Sequence, residues 1–384
     1  YTDHDQDSYY GARDYQARQQ TVFSNYIFQS IFGQNENQKY SAGLSFNFDR
    51  YDESFNDYLV GSGQKTATVD FDRNERVGGA FFQYTGLFWQ KLTVMAGLRY
   101  DYHNIFGSFV TPRLHLAYAP DDFTMLKVSA GHGARTANIL ADNSYLLASA
   151  NSVYVNDKLL AAHPEELDRL DMEKAWNFGV QLNRKFLLFD RILNINLDYY
   201  RTNFTDQVVA DNETQVGKVN FYNLDGDSYS NCYQVEVKYE LIDVLGAYRY
   251  NDVKTTMGGR LLRAPLQSKY KGLLNLSYYT NMKKWQFDFT TQFNGPGRIP
   301  VPVSENSGQA DRFDSFRIMN AQISKFFRKW SIYAGCENIG DFTQKHPILA
   351  ADRPWSDAFD SSKIWGPVHG RKFYLGLRFG LDRE

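Results

Sequence analysis

Hydrophobic residues recur at every second position of this chain, in segments of about ten residues joined alternately by very short and very long connections. Between Lys91 and His103, for example, Leu92, Val94, Ala96, Leu98, Tyr100 and Tyr102 share one face, and Thr93, Gly97, Arg99, Asp101 and His103 share the other. The same split sets Tyr40, Ala42, Leu44, Phe46 and Phe48 against Ser41, Gly43, Ser45, Asn47 and Asp49, and Trp176, Phe178, Val180 and Leu182 against Asn177, Gly179, Gln181 and Asn183. A soluble sheet with one wet face alternates too. Length separates the readings, because soluble strands run to about five or six residues, whereas a tilted strand needs about ten to cross a bilayer core. The pattern predicts an all-β, transmembrane, antiparallel up-and-down barrel.

The 384 residues have a mean hydropathy of -0.51 and contain no long apolar run, so spanning helices are excluded. Low hydropathy suits a barrel, whose lumen face and outer loops are polar. An aromatic share of 16%, with 27 Tyr and 29 Phe, fits rings gathered at two membrane interfaces. A net charge of -2 without basic clusters gives no electrostatic case for nucleic acid. Alternation puts Cys336 on the lipid face and Cys232 on the lumen face, which argues against a disulfide between them. The start at Tyr1, without Met or export signal, reads as a processed or truncated piece.

Short turns are expected near Gly33 to Gln38, Trp89 to Lys91, Pro120 to Phe123, Lys185 to Asp190, Ile242 to Gly246, Asn281 to Lys284 and Phe327 to Lys329. Long polar loops are expected at Tyr51 to Asn74, Thr136 to Asp171, Asp206 to Ser228, Thr256 to Leu266, Gly295 to Asp311 and Gly340 to His369, with a shorter one at Asn104 to Ser108. Short turns of such barrels face the periplasm, which makes the C-terminus periplasmic and gives about fifteen strands, the first being Thr21 to Phe32. Bacterial single-chain barrels have even strand counts. Two readings follow: a complete diffusion porin of about sixteen strands, or the C-terminal part of a plugged transporter of about 22.

Several stretches resemble, in order, the C-terminal part of TonB-dependent outer-membrane receptors. They are TPRLHLAYAPDDFTMLKVSAGHGARTAN (Thr111 to Asn138), HPEELDRLDMEKAWNFGVQL with Pro164 and Glu165, LNINLDYYRTNFTDQVV (Leu193 to Val209), CENIGDFTQ (Cys336 to Gln344) and GRKFYLGLRF (Gly370 to Phe379). The close Arg135-Thr136-Ala137-Asn138 departs from the Phe-Arg-Ala-Pro form common in haem receptors and looks more like receptors of Bacteroidota-type organisms. The resemblance implies that residues 1–384 are the C-terminal portion of a 22-stranded barrel domain, with the plug domain, first strands and TonB-contacting segment absent from this sequence. It implies location in the outer membrane of a Gram-negative bacterium. It also implies TonB-energised import of a scarce nutrient such as a ferric siderophore, cobalamin or another metal complex, with outer-membrane lipid, the plug, the TonB complex and a surface lipoprotein as partners.

No nucleophile-base spacing or phosphate-cradling loop points to an enzyme, and no resident cofactor or metal site is expected. Arg99, Asp101, Arg113 and Arg135 face the lumen, where they could hold a plug by charge-assisted hydrogen bonds or steer an anionic cargo. In the two longest loops, Tyr145, Tyr154, Trp355 and Trp365 offer aromatic surface for a large ligand, or serve loop packing. His163, beside Pro164, Glu165 and Glu166, could help chelate an iron or cobalt complex, or stand in a solvated loop. His132 falls on the outward side, and His103 and His115 face inward.

Overall fold

In the computed structural model, residues 1–11, 13–59, 64–239, 243–301 and 311–380 are described, with no account of the side chains at 58–59 and 64–67. Among the described residues, sixteen strands form the wall. They are β1 (Thr2–Tyr10), β2 (Arg13–Phe32), β3 (Asn35–Leu59), β4 (Gln64–Phe88), β5 (Leu92–His103), β6 (Gly107–Asp121), β7 (Thr124–Arg135) and β8 (Glu173–Leu188). The second half comprises β9 (Arg191–Asp206), β10 (Ser228–Tyr239), β11 (Asp243–Met257), β12 (Tyr270–Tyr279), β13 (Trp285–Asn294), β14 (Phe316–Phe326), β15 (Trp330–Glu337) and β16 (Lys372–Phe379). Each pairs antiparallel with the next, the order hydrocarbon demands because lipid offers no hydrogen bonds to an unpaired backbone.

Pairing register confirms the two faces. Leu98 lies opposite Phe82 and Pro112, and all three share the lipid side; Gly97 lies opposite Gln83 and Arg113 on the lumen side. Short turns close one end of the wall, as between β8 and β9, where Phe189 and Asp190 take left-handed backbone angles of 49° and 57° in φ. Such a two-residue turn matches the right-handed twist of its flanking strands. The turn expected near Ile242 and the loop after Gly295 lie partly outside the described residues.

One expectation gains an addition and another needs correction. First, to the roughly fifteen expected strands the wall adds one more, the acidic segment Thr2–Tyr10, which pairs with Arg13 to Thr21 of β2. At that level the outward face has turned polar, reading Arg18, Gln20, Arg50, Asp52, Asp72 and Asn74, so β1 stands above the apolar band and fifteen strands cross it. Second, Tyr51 to Asn74 is not a long loop. Strands β3 and β4 continue through it to Leu59 and from Gln64. Above the membrane the apolar face reverses and points inward, with Tyr15, Phe55, Val69 and Phe71, which is why a search for outward alternation misses this part.

That inward apolar face is covered. Residues 136–172, expected as a solvated loop, fold as a roof against it, carrying Ile139, Leu140, Leu146, Leu147, Val153, Val155, Leu160 and Leu170 into one buried cluster with Tyr15 and Phe55. Val219 and Phe221, from the segment Lys218–Asn223, join it; that segment pairs in parallel with Ser152–Val155. A buried ion pair anchors the roof. Arg13 Nε donates to Asp57 Oδ1 at 2.8 Å, and the remaining guanidinium nitrogens donate to the carbonyls of Leu147, Ser149 and Asn151 at 2.8 to 3.1 Å. Arg13 is 3% exposed and Asp57 is fully buried, so the pair is worth keeping only with all its hydrogen bonds in place.

Two outcomes follow for this fold. Leu98→Arg should reduce the folded, heat-modifiable fraction in vesicles, by a cost of about 2–4 kcal/mol near the bilayer centre, whereas Gln83→Arg on the lumen face should not; equal behaviour of the two would contradict the assigned faces. Asp57→Ala should leave a buried cation unpaired at a cost of about 3–5 kcal/mol to roof docking. Limited proteolysis should then cut within residues 136–172 while the barrel persists, and unchanged protection would show that the anchor is dispensable.

Candidate functional site

The roofed mouth is built where the roof meets the tops of β3, β4 and β5. Between them lies a cavity of about 230 Å³ lined by Glu53, Phe71, Arg73, Phe106, Asn138 and Leu140 among others. Strand alternation aims Glu53, Phe71 and Arg73 inward together. Arg73 is the polar centre: its guanidinium lies 4.6 Å from the Tyr51 ring centroid, its Nε is 2.7 Å from Glu75 Oε1, and it donates to Asn138 of the roof. Burial pushes the Glu53 carboxyl above its ordinary value, opposed by the hydrogen bond it accepts from the Tyr15 hydroxyl at 2.5 Å and by Arg73. Burial, with Glu53 beside it, likewise pushes Tyr15 well above the usual phenol range. The cavity is thus part apolar and part charged, suited to a ligand with both kinds of surface.

A second loop closes from the opposite side. Residues 340–371 reach the roof, with Ala150 N donating to Phe359 O at 2.8 Å and Ser361 N to Ala148 O at 3.0 Å. Trp365 of this loop stacks on Phe313 at 4.5 Å between ring centroids, and Phe316 stacks on Phe342 at 4.8 Å. Arg298 joins two further loops by pairing with Glu213 and donating to the carbonyl of Arg263.

The residues singled out from sequence do not converge on one point. Tyr145 and Trp355 are exposed, and Tyr154 is half-buried with Lys218 Nζ 4.5 Å from its ring centroid. Trp365 is committed to the aromatic stack. His163 precedes a 3-10 turn, with Nδ1 3.1 Å from Glu165 Oε1, while Glu166 is held by Lys158 at 2.5 Å, which lowers its carboxyl pKa. Among the described residues, no group of three or more His, Cys, Asp or Glu is placed to hold a metal ion. Sequence reasoning missed the Arg13–Asp57 anchor and the Arg73 centre. Both sit in stretches read as polar termini or loops, and no spacing links them to the roof.

The inward-facing set is divided. Arg99 is bound to Asp101, Nε to Oδ2 at 2.7 Å, and to Ser45 Oγ at 2.6 Å. A Cβ at Gly79 would collide with both partners, so glycine is needed there for the close approach. Arg135 bridges Glu173 at 2.6 Å and Asp142 at 3.2 Å, fastening the roof to the wall. Among the described residues, Arg113 alone of the four has no ion-pair partner, and it is exposed to the lumen between Gly97 and Gly131.

Solved structures share this architecture. A copper transporter, OprC, superposes with a TM-score of 0.65 at 15% identity, over 96% of this chain and 58% of its own. The FrpB iron transporter from Neisseria meningitidis gives 0.64 at 13% identity, over 95% and 56%. The siderophore receptor PiuA from Acinetobacter baumannii gives 0.61 at 13%, over 95% and 56%. The chain therefore spans less than three fifths of the length of these proteins. No curated protein matches it significantly in sequence. A family model described as TonB dependent receptor-like, beta-barrel, matches residues 1–339, and with the ordered wall and roofed mouth it establishes that the chain belongs to the TonB-dependent receptor β-barrel family.

Proposed function

We propose that this chain is the C-terminal barrel portion of an outer-membrane active-transport receptor that imports a large, scarce metal complex, such as a ferric siderophore or cobalamin, with TonB-supplied energy. The family is one of receptors and transporters of the Gram-negative outer membrane, not an enzyme class. The observation that carries the reading is the roofed mouth: residues 136–172 pack on the inward wall and residues 340–371 pack on the roof. A diffusion pore works with its mouth open, whereas a receptor that binds before it transports gains from loops that enclose the cargo. The names printed for OprC, FrpB and PiuA, with copper, iron and siderophore, favour metal complexes as the cargo class.

The sixteen-stranded porin reading keeps one point in its favour, the even count. Against it, no pairing joins β16 to β1 or β2 among the described residues, and Val22 to Phe32 of β2 has no partner on its free side. Two such edges need partners in hydrocarbon. Further strands outside this chain would supply them, and a plug domain would fill the lumen, with Arg113 free to receive it. The C-terminus would be periplasmic. A surface lipoprotein remains part of the proposed assembly, supported by the family analogy alone.

Uptake of radiolabelled ferric siderophores and of cobalamin should fall on deletion of the native gene and should also fall when TonB is removed. Uptake that survives TonB loss, with an open pore in planar bilayers, would instead favour the porin. In a background with Cys232 and Cys336 replaced by Ser, an Ala148→Cys/Ser361→Cys pair should lock the roof to the final loop. Ser361 N donates to Ala148 O at 3.0 Å beside the bridge between Ser149 and Asp360, and residues paired in this way typically stand about 5.5 Å apart, within disulfide range. Transport should stop on oxidation and resume with reductant; full transport by the oxidised form would take the roof off the cargo path.

A further inference from the structure

On the outward face of β9, β10 and β11, Tyr199, Tyr233 and Tyr250 lie opposite one another, with ring centroids 4.8 and 6.2 Å apart. The next outward residues on the periplasmic side are Leu197, Val235 and Tyr248. A row of tyrosines at the edge of an apolar band marks the membrane-water interface. The next outward residues on the other side are Arg201, Asn231 and Asp252, followed by Asn203, Tyr229 and Lys254, with Arg263 opposite Lys254.

These polar residues are organised around one ring. Arg201 Cζ lies 5.0 Å and Lys254 Nζ 5.9 Å from the centroid of Tyr229. Arg201 Nε donates to Asn203 Oδ1 at 2.8 Å and Nη1 to Asn231 Oδ1 at 3.1 Å, so two amides fix its plane without neutralising it. Among the described residues no carboxylate pairs with Arg201. Asp252 is shared between Arg263 at 3.1 Å and Lys254 at 3.9 Å. Three cations against one carboxylate leave a charge of +2 on this patch.

We propose that the patch binds the phosphate of a phosphorylated lipid in the outer leaflet. A guanidinium held in plane presents a fork suited to phosphate oxygens, and a nearby ammonium adds a point charge. Height decides the source of the phosphate. Arg201 stands one outward residue pair above the tyrosine row, and Lys254 and Arg263 stand two, so a headgroup bound there lays its acyl chains down the outward wall over Leu197, Val235 and Tyr248. A free anion would gain nothing from that wall.

The test uses the native full-length protein in nanodiscs, with diphosphorylated lipid A, its dephosphorylated form and inorganic phosphate as probes. Wild type should retain diphosphorylated lipid A in native mass spectrometry and bind the dephosphorylated form at least about tenfold more weakly. Arg201→Gln/Lys254→Gln should lose that preference, while Arg249→Gln, on the lumen face of β11, should keep it. Heat-modifiable mobility establishes that each variant is folded. A folded double variant with the wild-type preference would overturn the proposal, and so would full displacement of the lipid by millimolar inorganic phosphate, which would make this a free-anion site.

Discussion

Hydrocarbon accepts no unpaired backbone hydrogen-bonding group, and the rest of this structure depends on that constraint. Within the apolar band it dictates continuous antiparallel ladders, and the ladders dictate two-fold alternation of side chains between lipid and lumen. Small inward residues such as Gly79 and Gly97 then find their use, because a wall that must stay regular can still admit a close polar pair or leave room beside an arginine. The edges of β2 and β16 that carry no pairing among the described residues fall under the same constraint.

Above the band the constraint relaxes and the organisation changes. The same strands continue, but Tyr15, Phe55 and Phe71 now point inward, where water would otherwise meet them. A roof from between β7 and β8 buries them, and its carbonyls at Leu147, Ser149 and Asn151 are satisfied by Arg13 rather than by a ladder. The mouth is thus a small globular core resting on a membrane wall, with a charged cavity at the seam. Its stability rests on ordinary apolar burial and the ion pairs of Arg13 and Arg135, terms that can be reversed without disturbing the strands beneath.

Much of the wall was legible from residues alone. The face assignments of Leu98, Arg99, His132 and Cys336 agree with the pairing register, because a period of two leaves each residue only two choices. The strand β1 was not legible, since Thr2–Tyr10 carries no apolar stripe and owes its form to pairing with β2. Nor was the extension of β3 and β4, whose apolar side had changed direction. Site residues were less legible still: Trp365 was visible as an aromatic in a long loop, but its stack on Phe313 depends on a different loop.

The sequence by itself determined the barrel class, the two faces of each membrane strand and the order of short and long connections, because these are local consequences of alternation in a bilayer. Only the tertiary structure decided where the long loops go. Docking of residues 136–172 onto Tyr15 and Phe55, of residues 340–371 onto the roof, and of Arg13 onto Asp57 joins positions far apart in the chain. No periodicity encodes such contacts; they exist because separate apolar and charged surfaces meet once the wall has brought them to the same end.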